Sequence, residues 1–380
     1  MDKVLNAIQV QEQAMIEFLR RIVNIDSCYD DPEGNLKVAQ LIGAMLDKMG
    51  FTVEYLKYPG ICTHVKAFKK GIGDKKVMVM GHLDCIMPKG SATEHPFTIK
   101  EGKAYGPGVL DMKGGIAIAL YALLALYSEG WNDKNVTVLF CGDEEHAHPY
   151  TNAAELFEKT AQGQHAVFNM ETASAGHSAL IGRKGNLYAE MQVTGISAHA
   201  GADIQKGANA IIELAYKAIA ISKLTDFSSG LTCNIGAIEG GLIANAVPDY
   251  AKIKIDMRYL KEEDRDKAVA GLNEIVAQNY IPGTKTEIVN LIERFMPMVA
   301  TEDNKKLFAL VQEQAKKLGI EMTAKVGGGS SDAGWTVRAG APTLCGMGAI
   351  GEFNHTAREY IFVDSLVQRA KLLALSIDAL

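Results

Sequence analysis

The sequence predicts an α/β fold: a mixed, largely parallel sheet with helices on both faces, interrupted by an inserted α+β domain. Three observations carry this. Strand and helix patterns alternate up to about residue 180. Around Arg183 they give way to strands that alternate apolar and polar residues. After about Phe295 the helix–strand alternation resumes. At 380 residues the chain is too long for one ordinary core, so two domains are expected. Their bounds are 1–182 with 296–380 for the first, and 183–295 for the insertion.

The elements follow in order. Val4, Ile8, Met15, Phe18, Leu19 and Ile22 are spaced as one face of an amphipathic helix, with Glu12, Glu17 and Arg20 between them, so Met1–Arg21 is not a signal peptide. Val77-Met78-Val79-Met80 is an apolar strand. Gly114 to Tyr127, rich in Ala, Leu and Ile, reads as a helix. Val136 to Cys141 and His165 to Met170 are two more apolar strands. In the insertion, Asn186–Val193, Thr232–Glu239 and Asp249–Tyr259 read as strands, the last with Ala251, Ile253, Ile255 and Met257 on one face and Lys252, Lys254, Asp256 and Arg258 on the other. Helices at roughly 207–222 and 262–278 lie among them, an order that suggests a small antiparallel sheet with helices on one face. In the returning segment, Gly327-Gly328-Gly329-Ser330-Ser331-Asp332 opens a helix.

Composition removes several function classes. A net charge of −6 argues against a nucleic-acid partner. No uninterrupted apolar run is long enough to cross a bilayer. Six scattered cysteines without a Cys-x-x-Cys pair suit the reduced, buried thiols of a cytoplasmic protein.

What stands out is the polar residue that ends each apolar run. Gly81-His82-Leu83-Asp84, Gly108-Val109-Leu110-Asp111-Met112-Lys113-Gly114-Gly115, Asp143-Glu144-Glu145, Met170-Glu171 and Asn354-His355 are five such motifs. Open α/β sheets put their chemistry at strand ends. His82 and Asp84, two apart in extended chain, point to one face. His82 can then bind a metal while Asp84 accepts the other imidazole N–H and fixes the tautomer. Asp111 is either a helix N-cap or a carboxylate beside a charged centre that glycine-rich backbone approaches closely. Glu144 and Glu145 repel unless a cation or proton sits between them. One can bind metal while its neighbour serves as general base. Together His82, Asp111, Glu145, Glu171 and His355 form a nitrogen and oxygen donor set with no thiolate, suited to two zinc, cobalt or manganese ions sharing one carboxylate.

These motifs, in this order and spacing, resemble the di-zinc hydrolase family of glutamate carboxypeptidase, acetylornithine deacetylase, succinyl-diaminopimelate desuccinylase and aminoacylase. The glutamate carboxypeptidase branch is the most similar. The resemblance runs from about Leu41 to the C-terminus. It implies that His82 and Glu171 bind one metal, Glu145 and His355 the other, and that Asp111 bridges them. Glu144 would be the general base, Asp84 the partner of His82, and the Asp111–Met112 peptide cis. It implies that the insertion is a lid that also makes a homodimer, with His199 of Ser197-Ala198-His199-Ala200-Gly201 reaching the neighbour's active site. Asn245, Arg258, Arg294 and Gly328 match substrate-holding positions, and an arginine fork fits a carboxylate. The implied activity is hydrolysis of an amide bond next to a free carboxylate, in small peptides or N-acyl amino acids. A deacylase, an aminopeptidase of the same architecture, or a non-enzymatic binding protein are the alternatives. The aminopeptidase would have to recognise a free amine, whereas Arg258 and Arg294 suit a carboxylate. Cys85 and Met112 depart from the Thr and Asp usual in the glutamate carboxypeptidases, and Thr172 to Ala179 lacks a basic residue to meet a glutamate side chain.

Overall fold

A computed structural model describes residues 1–173 and 176–380. Ser174 and Ala175, inside the Thr172–Ala179 stretch, lie outside the described residues. The chain separates into two units: Met1–Gly182 with Ala300–Val326 and Trp335–Leu380, and Arg183–Val299 with Gly327–Gly334.

The first unit is built on a mixed six-stranded sheet. Its spatial order is Thr52–Tyr58, Cys62–Lys69, Asn135–Cys141, Lys76–His82, Ala166–Asn169, Thr343–Leu344. The first two junctions are antiparallel and the remaining three parallel. Val77 and Val79 belong to the main apolar cluster, while Met78 and Met80 point to the opposite face and are equally buried. Both faces are therefore covered, as a parallel sheet requires. Parallel register also explains why the polar motifs converge. His82 is paired with Cys141, and Met80 with Asn169, so three neighbouring strands run out at one edge.

The helix Gly114–Ser128 packs in this core. The turn before it, Val109–Lys113, makes Val109–Ser128 long and apolar enough to cross a membrane, but 94% of its most apolar window is buried, as in a core helix. Gly115 shows how closely it approaches the strand ends: a Cβ there would lie 1.9 Å from the Met170 carbonyl oxygen. The N-terminal apolar face forms as expected, with Val4, Ile8, Met15, Phe18, Leu19 and Ile22 buried. It is carried by two helices, Asp2–Val10 and Glu12–Val23, because Gln11 leaves helical angles at φ −88°, ψ 4°.

A second, small antiparallel sheet brings distant segments together. Its order is Gly351–Glu352, Tyr360–Phe362, Lys103–Tyr105, Thr98–Lys100. The loop carrying Asp111 leaves the Lys103–Tyr105 strand. The loop carrying His355 joins the two strands of the neighbouring hairpin.

The second unit contains strands Gly185–Thr194, Thr232–Gly240, Tyr250–Tyr259 and Lys285–Phe295, all antiparallel. The helices Ala210–Ser222 and Glu262–Ala277 cover one face. Ala251, Ile253, Ile255, Met257 and Tyr259 meet Leu214, Ile221, Ala268 and Leu272 there in a core of their own. Strand–helix–strand–strand–helix–strand is the order read from the sequence.

Candidate metal centre

Seven of the residues singled out in the sequence gather at the strand ends of the first unit. His82 closes its strand and is 1% exposed. Its Nε2 lies 3.2 Å from Asp111 Oδ1 and 3.6 Å from Glu171 Oε1. His355 Nε2 lies 3.1 Å from Asp111 Oδ2 and 3.3 Å from Glu145 Oε2. Two donor triads result, His82–Asp111–Glu171 and Asp111–Glu145–His355, and Asp111 turns one oxygen to each.

Asp111 is not a helix N-cap. It adopts φ −114°, ψ 93° within the irregular turn before the helix, and the Asp111–Met112 peptide is cis. Asn354 Nδ2 also donates to Asp111 Oδ2, at 3.1 Å.

Asp84 does more than meet His82. Its Oδ1 is 3.3 Å from His82 Nδ1, an ion-pair contact off the line of a good hydrogen bond. The same carboxylate accepts the backbone N–H groups of Glu144 and Glu145 at 3.2 and 3.0 Å. One buried anion thus ties the His82 strand to the Glu144–His146 turn. Asp143, just upstream, is pinned by His148 Nδ1 and the Thr151 hydroxyl, both at 2.8 Å. With those partners Asp143 reads as an anchor of the loop.

The electrostatics are those of a crowded anionic cage. Burial alone would raise the Asp111 carboxyl, but hydrogen bonds from His355 and His82 outweigh it and hold the group well below the usual range. Burial and then the Asp111 charge push Glu145 well above it. Burial would lower the His82 imidazole, yet its hydrogen bond to Asp111, its contact with the Asp84 carboxylate and the nearby Glu144 charge lift it well above its ordinary value. His355 is raised chiefly by its hydrogen bond to Asp111.

The donor set fits two divalent cations. Metal–donor bonds near 2.0–2.1 Å in tetrahedral geometry separate donors by roughly 3.3 Å, close to the separations here. Glu145 Oε1 is buried with no hydrogen-bond partner among the described residues, an arrangement costly without a cation. The nitrogen and oxygen set without thiolate suits zinc, cobalt or manganese.

The other five residues lie in the second unit. His199 is exposed, and its Nδ1 accepts N–H groups from Gly201 and Ala202, both at 3.1 Å. Asn245 stands beside it, since the Asn245 carbonyl accepts Ala200 N–H at 3.0 Å. The Arg258 guanidinium is forked onto Asp256, at 2.7 and 2.9 Å, and donates to Ser330 Oγ at 3.0 Å. Arg294 lies over the Tyr188 ring, 4.2 Å from its centroid. Gly328 is exposed, and an added Cβ would meet nothing within 4 Å.

Comparison with known proteins agrees with the geometry. Residues 78–379 match the family described as peptidase family M20/M25/M40. The chain belongs to this family. It is 31% identical to carboxypeptidase G2 of Pseudomonas sp. (strain RS-16), across 98% of this chain and 91% of that protein. It is 26% identical to succinyl-diaminopimelate desuccinylase of Acidiphilium cryptum (strain JF-5), across 89% of this chain and 91% of that one. Among solved structures, aminopeptidase PepT of Bacillus cereus ATCC 10987 superposes with a TM-score of 0.83 at 21% identity, covering 97% of this chain and 98% of that one; at that identity the likeness concerns the fold. Membership in M20/M25/M40 makes this chain a hydrolytic enzyme of the metallopeptidase and deacylase type, working with two divalent metal ions, typically zinc.

Sequence reading missed Glu359. It is 2% exposed, and burial together with the Asp111 charge raises its carboxyl to about 7. Ala357-Arg358-Glu359-Tyr360 has no local feature that separates it from a solvated turn.

Proposed function

We propose that this chain hydrolyses an amide bond next to a free carboxylate, in small peptides or N-acyl amino acids, as a carboxypeptidase-type amidohydrolase. The observation that carries this reading is Asp111, with one carboxylate oxygen turned to each donor triad. Similarity to carboxypeptidase G2 along almost the whole chain supports the carboxypeptidase direction.

His82 and Glu171 would hold one cation, Glu145 and His355 the other, and Asp111 would serve both. Bound there, the two ions supply Lewis acidity and lower the pKa of water. Asp84 keeps the His82 ring oriented and, through the backbone of Glu144 and Glu145, keeps the turn beside it in register. Glu144, a member of neither triad, removes a proton from the nucleophilic water and hands it to the leaving nitrogen. Arg258 and Arg294 supply guanidinium groups for the substrate carboxylate, with Asn245 and Gly328 beside the substrate. A panel of dipeptides and N-acyl amino acids, assayed for amine release with zinc, cobalt and manganese, tests the reading. Turnover is expected only where a carboxylate flanks the bond. Equal turnover of the corresponding carboxamides would overturn it.

The second unit is the lid and the homodimer contact of a cytoplasmic protein. His199 serves the partner's site. Because its Nδ1 accepts two N–H groups, its proton is on Nε2, and that nitrogen is a donor suited to the scissile carbonyl oxygen. Mixing two inactive variants, His199→Ala and Glu144→Ala, checks this. Subunit exchange should restore activity towards about half per mixed dimer, since a two-fold dimer then has one intact site. No recovery after proven exchange would place His199 in its own subunit's site or outside catalysis.

A further inference from the structure

We infer that Glu359 is the positioning residue that fixes the shared carboxylate of the metal centre, an inference that rests on the two-cation reading of that centre. Three backbone N–H groups converge on its carboxylate: Gly108 to Oε2 at 3.1 Å, Leu110 to Oε1 at 2.7 Å and Asp111 to Oε1 at 2.8 Å. A carboxylate accepting several N–H groups is a strong, directional anchor. The anchored stretch needs one. It begins at Gly108 in left-handed backbone (φ 68°) and passes through Asp111 and Met112 at non-helical angles, so no helical ladder satisfies those N–H groups. Glu359 supplies the acceptors that regular structure does not.

Its place in the chain makes it a link as well as an anchor. Glu359 directly precedes the strand Tyr360–Phe362, which pairs with Gly351–Glu352 on one side and Lys103–Tyr105 on the other. The first of these pairings closes the hairpin that carries Asn354 and His355. The second leads into the loop that carries Asp111. Asn354 and His355 reach Asp111 Oδ2 from that hairpin, across 243 and 244 residues of sequence. Glu359 grips the Asp111 backbone from the same hairpin. The side chain of Asp111 and its main chain are thus held from one support, which sets where each oxygen points. Asp84 holds the Glu144–Glu145 turn in the same manner, accepting two of its backbone N–H groups. The centre is framed by two buried carboxylates, each gripping backbone that carries a donor residue.

The test is metal affinity of the full-length protein, measured by competition with a chromophoric chelator for zinc, alongside metal content by elemental analysis. Glu359→Gln keeps the size but offers one acceptor oxygen and turns an NH₂ towards N–H donors. Zinc affinity should fall about 10–100-fold, the usual effect of losing a partner that orients a ligand. At saturating zinc, KM should stay at the wild-type value. A purely structural role would instead lower the Tm of the metal-free and loaded proteins alike and leave zinc affinity unchanged, and that result overturns the inference. Glu359→Asp, which keeps the charge but is one methylene too short to reach all three N–H groups, provides the same comparison if Gln does not fold, and unchanged affinity there overturns the inference equally. Wild-type protein that takes up fewer than two ions sinks the two-cation reading itself, a failure distinct from the first because it shows before any substitution.

Discussion

Asp111→Asn is expected to lose both metal ions, not one. Asn keeps the size of Asp and one oxygen but loses the charge and the second acceptor. In the folded chain each Asp111 oxygen faces a different imidazole, Oδ1 towards His82 at 3.2 Å and Oδ2 towards His355 at 3.1 Å. Without the carboxylate each remaining triad keeps one imidazole and one glutamate, too few to close a site by themselves. Affinity for both ions should fall by more than the roughly 10–100-fold that loss of an orienting partner costs. The fold should persist, because the Asp111 backbone is held through its own N–H by Glu359, and the side chain contributes no apolar packing. Glu145, raised first by burial and then by the Asp111 charge, loses only the second of these causes. Elemental analysis together with a thermal melt of the metal-free protein decides the matter. One ion retained at full occupancy would show that the two sites are independent and that Asp111 does not bridge.

How much of this centre the sequence discloses depends on the kind of residue. His82, Asp84, Glu144–Glu145 and Glu171 are legible because each follows an apolar run that can only be a buried strand. Parallel register then forces the ends of neighbouring strands together. His355 is legible only in company with the other four motifs, since a histidine in a polar turn has many fates. The four-stranded antiparallel sheet that carries it back to Asp111 is made of strands two or three residues long, too short for a periodic signal. Glu359 is hidden for the same reason. Its role depends on the direction of three N–H groups 248 to 251 residues away, and nothing local encodes that. The second role of Asp84 is likewise invisible, because acceptance from the Glu144 and Glu145 backbone follows from the spacing of two adjacent strands. In the inserted unit the reverse holds: long strands with clean alternation make its order readable, while the contacts of Arg258 and Arg294 with Asp256 and Tyr188 appear only in three dimensions.

Glu144→Gln is expected to retain both metals and lose turnover by about 10²–10⁴-fold, the usual contribution of a general base. The adjacent carboxylates have different surroundings. Glu145 Oε2 meets His355 and its other oxygen is buried without a hydrogen-bond partner among the described residues, the signature of a ligand position. Glu144 belongs to neither donor triad, although its charge is close enough to raise both His82 and Glu145. A carboxylate there can take a proton from water beside the centre without being a ligand. Gln preserves shape and hydrogen bonding but cannot accept the proton. The turn should hold, because Asp84 accepts the backbone N–H of residue 144 whatever its side chain. kcat should therefore collapse while KM and metal content stay near wild type, the pattern of an interaction made only in the transition state. Glu145→Gln should do the opposite and shed metal first. A Glu144→Gln protein that loses an ion would exchange the two roles, and one that keeps normal kcat would remove Glu144 from the chemistry.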